Sequence, residues 1–262
     1  NVLADTCVHR GGSLSKGKVL ADNVQCPYHG LEFDGTGKCT KIPSISKCNP
    51  PGRAKVDRYP VQEKYGIVFA FLGDLPEAER PPLHLVEEYD QEGWQFSGPL
   101  TFELEAYYER SIENGLDPVH NEFVHPTQGA PRLDEDRLTI ETGEWGAKFI
   151  ALFGDLTDSE SHDKIVERAD TGELRAGSWH TGPNALITAI HIPGNNSFIQ
   201  YFYEAPLGKT GTRIFFVNMR NNNLEPSMDE FMNKSFMKVA GEDQVVIEEL
   251  WPKRTPDTLT KE

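Results

Sequence analysis

The chain has 262 residues, enough for one large domain or two ordinary ones, and its 41 acidic and 26 basic residues give a formal net charge of -15 at pH 7. Such an acidic chain is repelled by phosphate backbones and by anionic lipid surfaces, so we expect no nucleic-acid partner. The best apolar stretch, residues 66–72, is far shorter than the roughly twenty residues of a membrane helix, so the sequence predicts no membrane segment.

Two short pairs of cysteine and histidine lie near the start of the chain. Cys7 and His9 form the first pair, and Cys26 and His29 form the second. Together they offer two thiolates and two imidazoles, the ligand set of a Rieske [2Fe–2S] centre, in which two cysteines bind one iron and two histidines bind the other. Glycines follow both pairs, where the backbone must turn tightly beside a cluster. The pattern predicts a redox protein.

A zinc site is the alternative interpretation of these four residues, because cysteine and histidine at short spacing bind zinc in many proteins. Structural zinc sites usually begin with a Cys-x2-4-Cys pair that is followed by His or Cys at comparable spacing. Each half-site here instead combines one cysteine with one histidine, which favours the two-iron cluster.

Residues 1–75 have the composition of a small antiparallel β domain. They are rich in Gly and Pro and contain short strand-like runs at residues 56–61 and 66–72. Prolines with charged residues between them follow at residues 76–82 and indicate a linker. We therefore predict a cluster domain at residues 1–75 and a second domain at residues 76–262.

Cys39 and Cys48 remain outside the two pairs. They could form a disulfide, but two thiols in an acidic redox protein are more often reduced. We therefore expect free thiols and a cytoplasmic protein.

A second group of candidate ligands follows residues 102–114, where the pattern changes from alternating to helical. Asp117 and His120 are three residues apart and would share one face of a helix. His120 and His125 would lie about 140° apart around a regular helix, so they can share a metal only if the helix bends or ends between them. Nearby prolines favour such a distortion. Two imidazoles and one carboxylate would form the facial triad of non-haem iron(II) oxygenases.

The rest of the chain predicts a sheet and then a long helix. The β-branched and aromatic runs of strand length are residues 148–152, 185–192, 197–203 and 213–219. The polar residues 155–173 predict a mobile loop. From residue 227 the period is helical, and the predicted apolar face is Met228, Phe231, Met232, Phe236, Val239, Val246 and Leu250. The order of helix, antiparallel sheet and helix predicts an α+β fold.

With these two motifs, the chain resembles the oxygenase (α) subunit of the Rieske non-haem iron oxygenases. The resemblance rests on Cys7-Val8-His9-Arg10-Gly11-Gly12, Cys26-Pro27-Tyr28-His29-Gly30, Tyr59-Pro60-Val61-Gln62-Glu63 and residues 114–125. Asn114, Asp117, His120 and His125 match every position of the family's second motif. The resemblance implies that His120 and His125 bind a mononuclear iron and that Asn114 lies just outside its ligands.

The resemblance also implies a third iron ligand, an aspartate on the C-terminal helix. The matching acidic motif is residues 241–248, and we assign Asp243, with Glu242 as the competitor one position away. A solvated surface acid is the ordinary alternative for either residue. The family's catalytic domain has a helix-grip fold, a curved antiparallel sheet around a long C-terminal helix. Because a Rieske domain should have built several strands before Asn1, we expect an N-terminal truncation.

The activity implied is that of a terminal oxygenase, which receives electrons from a separate reductase or ferredoxin using NAD(P)H and activates O2 at mononuclear iron. In the family, the cluster of one subunit serves the iron of its neighbour in a ring of three, so we expect a homotrimer. Asp117 is the implied bridge, because its carboxylate would accept one hydrogen bond from His120 and another from a cluster histidine across the interface.

The substrate class is also taken from the resemblance. The runs Cys-Pro-Tyr-His-Gly-Leu-Glu-Phe and Ile42-Pro43-Ser44 are similar to those of members that have only α subunits, such as aromatic O-demethylases and chlorophyllide oxygenase. We therefore expect monooxygenation, as hydroxylation or demethylation of an aromatic or cyclic small molecule. One alternative is a ring cis-dihydroxylating dioxygenase. The other is a Rieske electron carrier without oxygenase chemistry, which would need no mononuclear iron.

Overall fold

The structure is a computed structural model that describes residues 1–45, 47–128, 131–143, 146–153, 174–192 and 194–256. The chain divides into two units, Asn1–Arg80 and Pro81–Glu262, and the division falls within the proline-rich stretch that the sequence indicates as a linker. The stretch at residues 155–173, predicted to be a mobile loop, lies outside the described residues.

The first unit consists of short antiparallel strands. Its strands are β1 (Val2–Leu3), β2 (Lys18–Leu20), β3 (Asn23–Gln25), β4 (Glu32–Asp34), β5 (Cys39–Lys41), β6 (Arg58–Tyr59), β7 (Val61–Lys64) and β8 (Ile67–Ala70). Strands β2 to β5 form one sheet in chain order, β1 pairs with β6, and β7 pairs with β8. The run at residues 56–61, predicted as one strand, is interrupted at Pro60, which has no N–H to donate to a ladder.

The core of the first unit contains cysteines as well as aliphatic and aromatic side chains. Its buried residues are Cys7, Leu14, Cys26, Leu31, Phe33, Cys39 and Val56. Cys48 is exposed, and all four cysteines are free. The core therefore encloses the sulfur atoms that the sequence assigns to the cluster.

The second unit is an antiparallel sheet with a long helix packed against it. Its strands are β9 (Gln95–Phe96), β10 (Leu100–Leu104), β11 (Thr139–Gly143), β12 (Gly146–Phe153), β13 (Leu174–Thr181), β14 (Ala185–Ile192), β15 (Asn196–Leu207) and β16 (Gly211–Arg220). The strand order is β10-β16-β15-β14-β13-β12-β11, and β9 also pairs with β16. The helices of its described residues are α1 (Tyr108–Gly115), α2 (Asn121–Val124) and α3 (Asp229–Glu249). The predicted α+β fold is confirmed.

Short 3-10 turns connect these elements in both units. They are Leu14–Lys16, Pro43–Ile45, Glu77–Glu79, Pro126–Gln128, Glu135–Arg137 and Pro226–Met228. Across the described ranges, no helix combines the length and the apolar character that crossing a bilayer requires.

Strand β14 coincides with its predicted run, whereas β12, β15 and β16 extend beyond theirs at both ends. Strands β11 and β13 were not predicted. All five residues of β11 are exposed, and β13 carries glycine, serine and histidine among its apolar residues, so neither has a simple apolar run. Pairing with neighbouring strands, rather than local composition, makes these two segments extended.

The inward face of α3 differs in part from the predicted one. Its buried residues are Met232, Phe236, Ala240 and Ile247. The ring of Phe236 packs against that of Phe198 on β15, with centroids 5.7 Å apart. Val246 and Leu250, predicted on this face, are 40% and 36% exposed. The 3.6-residue period brings Ile247 inward in place of Val246, and Leu250 follows the last residue of the helix. Asp243 follows Ala240 by three residues and precedes Ile247 by four, so the helix directs it inward.

Candidate metal centres

The two loops that carry the cysteine and histidine pairs have the same backbone hydrogen-bond pattern. The carbonyl oxygen of Cys7 accepts the N–H of Gly11 at 2.9 Å, and that of Cys26 accepts the N–H of Gly30 at 3.0 Å. Gly11 and Gly30 have φ angles of 72° and 71°, a left-handed conformation that favours glycine. Each loop therefore closes shortly after its histidine, which places the histidine at the tip.

The four candidate cluster ligands separate by chemical type. Cys7 and Cys26 are 2% and 3% exposed and belong to the same buried core. His9 and His29 are exposed, with ring centroids 4.6 Å apart. Thiols paired on the buried side and imidazoles paired on the solvent side suit a two-iron cluster. Burial raises the pKa of the Cys7 thiol, so a bound metal must supply the charge that keeps it a thiolate.

A single zinc ion does not fit these loops. With bonds of about 2.0 to 2.3 Å, the ligand atoms of tetrahedral zinc lie within about 4 Å of one another. Within the described residues, the one group of three or more His, Cys, Asp or Glu donor atoms that all lie within 4.8 Å is found in the second unit. The geometry therefore favours the two-iron cluster over zinc.

In the second unit, His120 and His125 flank the short helix α2, and the end of that helix brings them together. Helix α1 ends at Gly115, and Asp117 lies in the turn before α2. The prediction that Asp117 and His120 share one face of a helix is therefore wrong. His120 precedes the first residue of α2. His125 follows the last residue and has φ −109° and ψ 67°, outside the helical region. The helix therefore ends between the two histidines, as a shared metal requires.

Three donor atoms, from the two ends of α2 and from α3, converge on one point. Nε2 of His120 lies 3.2 Å from Nε2 of His125. Oδ1 of Asp243 lies 3.4 Å from Nε2 of His120 and 3.3 Å from Nε2 of His125. An ion at the centre of a triangle of this size would lie about 2 Å from each donor, the bond length of imidazole and carboxylate ligands to divalent metals. The donor set is that of the iron(II) facial triad.

Hydrogen bonds keep the Asp243 carboxylate charged. Burial opposes its ionisation, but hydrogen bonds with His120 and His125 outweigh burial and hold the pKa of Asp243 well below its ordinary value. Nδ2 of Asn114 donates to the same Oδ1 atom at 3.0 Å. Asn114 therefore lies next to a candidate ligand.

Glu242 contacts the other side of His125, a role that the sequence reasoning missed. Its Oε2 lies 3.1 Å from Nδ1 of His125, and its Oε1 accepts the N–H of Thr127 at 3.2 Å and also the Thr127 hydroxyl. A carboxylate at Nδ1 keeps a proton there and directs the Nε2 lone pair toward the metal. Adjacent residues of a helix differ by about 100°, which explains how Asp243 faces the metal point while Glu242 faces its ligand.

The outer nitrogen of His120 has a backbone partner. The sequence predicts a hydrogen bond from His120 to the Asp117 carboxylate, but Nδ1 of His120 contacts the backbone carbonyl oxygen of Asp117 instead. That carboxylate instead accepts the N–H of Val119 at 2.8 Å, and Asp117 is exposed. Within one subunit, the backbone therefore orients His120.

The triad opens into a cavity of about 190 Å³ between the sheet and α3. Phe149, Ile190 and Phe202 contribute to its largely apolar lining, whereas Ile187 points to the opposite face of β14 and is fully buried. A dry apolar cavity of about 150 Å³ is known to admit benzene, so this cavity can hold one substituted ring.

Replacing Glu242 by glutamine is expected to weaken binding of the single iron by about 10 to 100-fold, because the amide can no longer hold the proton on Nδ1 of His125 as strongly. Iron affinity is measured by titration of apoprotein with iron(II) without oxygen. Glu249→Gln, the same change at an exposed position of α3, is the control and should leave the affinity unchanged. Equal affinities in both variants would exclude the orienting role of Glu242.

Two protein-family descriptions match the chain. A Rieske [2Fe-2S] domain covers residues 1–60, and the vanillate O-demethylase oxygenase C-terminal domain covers residues 104–262. The second match includes the triad and every described residue of the cavity lining except Phe102.

Several known proteins are similar to the chain. The 5,5'-dehydrodivanillate O-demethylase oxygenase subunit of Sphingobium sp. is 32% identical over 71% of the chain, which spans 43% of that relative. A putative toluene-4-sulfonate monooxygenase system iron-sulfur subunit, TsaM2 of Comamonas testosteroni, is 35% identical over 94% of the chain and 75% of its own length. The structure of dicamba monooxygenase bound to 3,6-dichlorosalicylic acid has the same fold, with a TM-score of 0.78 at 23% identity over 98% of this chain and 81% of that one.

Proposed function

The chain belongs to the Rieske oxygenases, oxidoreductases that combine a [2Fe–2S] cluster with mononuclear non-haem iron and O2, and we propose that it is a terminal oxygenase that hydroxylates or demethylates an aromatic or cyclic small molecule. The convergence of His120, His125 and Asp243 at the wall of a ring-sized cavity carries this proposal. An electron carrier would have no use for a second metal centre or for such a cavity.

In this proposal Cys7, His9, Cys26 and His29 hold the cluster, and His120, His125 and Asp243 hold the single iron. When bound, these groups supply electron transfer and O2 activation.

The surrounding residues position the ligands and the substrate. Glu242 fixes the ring of His125, and Asn114 fixes the carboxylate of Asp243. The aromatic and aliphatic lining of the cavity excludes water and holds a ring beside the triad. The match to an O-demethylase domain supports monooxygenation over cis-dihydroxylation.

The partners are part of the same proposal. We infer that a reductase or ferredoxin using NAD(P)H supplies electrons, that the protein is a cytoplasmic homotrimer, and that Asp117 connects one subunit to the cluster domain of its neighbour. The exposed carboxylate of Asp117 supports the last point, because among the described residues its hydrogen-bond partner is the N–H of Val119. It is therefore accessible to a donor from another subunit.

The metal content tests the proposal. We expect about three irons and two acid-labile sulfides per chain, from one two-iron cluster and one separate iron. Replacing both His120 and His125 by alanine should remove the single iron and leave the visible spectrum of the cluster unchanged. A wild-type protein with two irons after full reconstitution would support the electron carrier instead.

A further inference from the structure

A row of polar side chains crosses the largely apolar floor of the cavity. Ser178 on β13 is in register with Thr188 on β14, Thr188 with Gln200 on β15, and Gln200 with Asn218 on β16. Ser178, Thr188 and Gln200 line the cavity, and Asn218, which is 2% exposed, continues the row behind it. We call these four residues the polar row.

The polar row has unused hydrogen-bonding capacity. The hydroxyls of Ser178 and Thr188 lie 2.9 Å apart, and their mutual hydrogen bond uses only one of their two protons. Gln200 donates one N–H to Oδ1 of Asn218 at 3.1 Å, which leaves its second N–H. Nδ2 of Asn218 is buried and has no hydrogen-bond partner among the described residues. The cavity wall therefore offers two donors to an acceptor on a bound molecule, the second hydroxyl proton of the Ser178–Thr188 pair and the second N–H of Gln200.

The charges around the cavity limit what this acceptor can be. In the described part of its lining there is no lysine or arginine, and Asp243 is the one acidic residue. At the polar row, a carboxylate or sulfonate of the substrate would lose its hydration without gaining a lysine or arginine of the described lining. A neutral oxygen avoids this cost and can still accept the hydrogen bonds.

We propose that the polar row selects an uncharged single-ring substrate that carries a hydroxyl or carbonyl oxygen, and that Thr188 and Gln200 determine this specificity. The inference rests on the proposed function for the reaction that follows binding, but the binding preference can be measured without turnover. Among aromatic and cyclic compounds, this is the substrate class that the geometry of the cavity favours.

Three probes of similar shape test the preference. 2-Methoxyphenol carries a neutral hydroxyl, 2-methoxytoluene replaces it by a methyl group, and 2-methoxybenzoate replaces it by an anion. Their affinities for the full chain with both metals bound are measured by calorimetry without a reductant. We expect 2-methoxyphenol to bind about tenfold more tightly than 2-methoxytoluene, and 2-methoxybenzoate to bind most weakly.

Thr188→Val tests whether the polar row causes the preference, because valine keeps the shape of threonine and removes its hydroxyl. We expect the ratio of the two neutral affinities to fall to within about twofold. Thr212→Val is the matched control, since Thr212 is buried on β16 outside the cavity and donates to the carbonyl of Ala106 at 2.8 Å. This control should keep the tenfold ratio. Ser178→Ala is the second variant if Thr188→Val does not fold.

The outcomes distinguish a failure of the binding preference from a failure of the proposed oxygenase function. The inference is overturned if 2-methoxybenzoate binds as tightly as 2-methoxyphenol, if none of the probes binds, or if the ratio is unchanged in the polar-row variants. Tight, selective binding of 2-methoxyphenol with no substrate-dependent O2 uptake, once electrons are supplied, would instead count against the oxygenase function.

Discussion

Replacing Cys26 by serine is expected to abolish the visible absorption of the cluster and all oxygenase turnover while the single iron stays bound. A serine hydroxyl is a poor ligand for cluster iron, and Cys26 is 3% exposed, so water has little access to take the place of the sulfur. The candidate ligands of the single iron lie in the second unit and are untouched. Absorption spectra, iron analysis and turnover assays measure the three effects.

Cys39→Ser is the matched control for this variant. Cys39 belongs to the same core and is 1% exposed, but it lies on β5 outside the two ligand loops. The control should keep the cluster spectrum. If Cys26→Ser kept its colour, the ligand assignment would be wrong, and if Cys39→Ser lost it as well, disruption of the core would explain both results.

The sequence identifies those parts of the metal centres that depend on short spacing. The cysteine and histidine loops are local motifs, each closed by a glycine with a positive φ angle. The end of the helix between His120 and His125 also follows from local geometry, because five residues on a regular helix separate the two rings too widely.

Features that depend on contacts far apart in the chain could not be predicted in this way. The choice between Glu242 and Asp243 depends on the rotation of α3 against the sheet, and the helical period alone assigned Val246 to the inward face instead of Ile247. The polar row is visible only when four strands are aligned, because Ser178 and Asn218 each belong to a different hairpin pairing. Side-chain alternation within one strand carries no information about its neighbour's register.

Replacing Asp117 by asparagine is expected to leave both metals bound and to slow reoxidation of the reduced cluster in a single turnover. We expect the rate to fall by about 10 to 100-fold, the usual effect of losing a hydrogen-bond partner of a metal ligand. In the structure the Asp117 carboxylate does not contact His120, so iron binding should not depend on it. An asparagine side-chain oxygen can still accept the N–H of Val119, which keeps the turn intact. What the variant loses is the exposed negative charge offered to the neighbouring subunit.

The measurement begins with chemical reduction of both metals, followed by stopped-flow mixing with O2 and 2-methoxyphenol and observation of the cluster's absorbance. Glu122→Gln, which removes one negative charge on the neighbouring helix α2, is the control and should reoxidise at the wild-type rate. A loss of iron in Asp117→Asn would return Asp117 to an orienting role within its own subunit. Reoxidation at the wild-type rate with both metals present would exclude Asp117 as the bridge, because its charge is then not needed for electrons to reach the single iron.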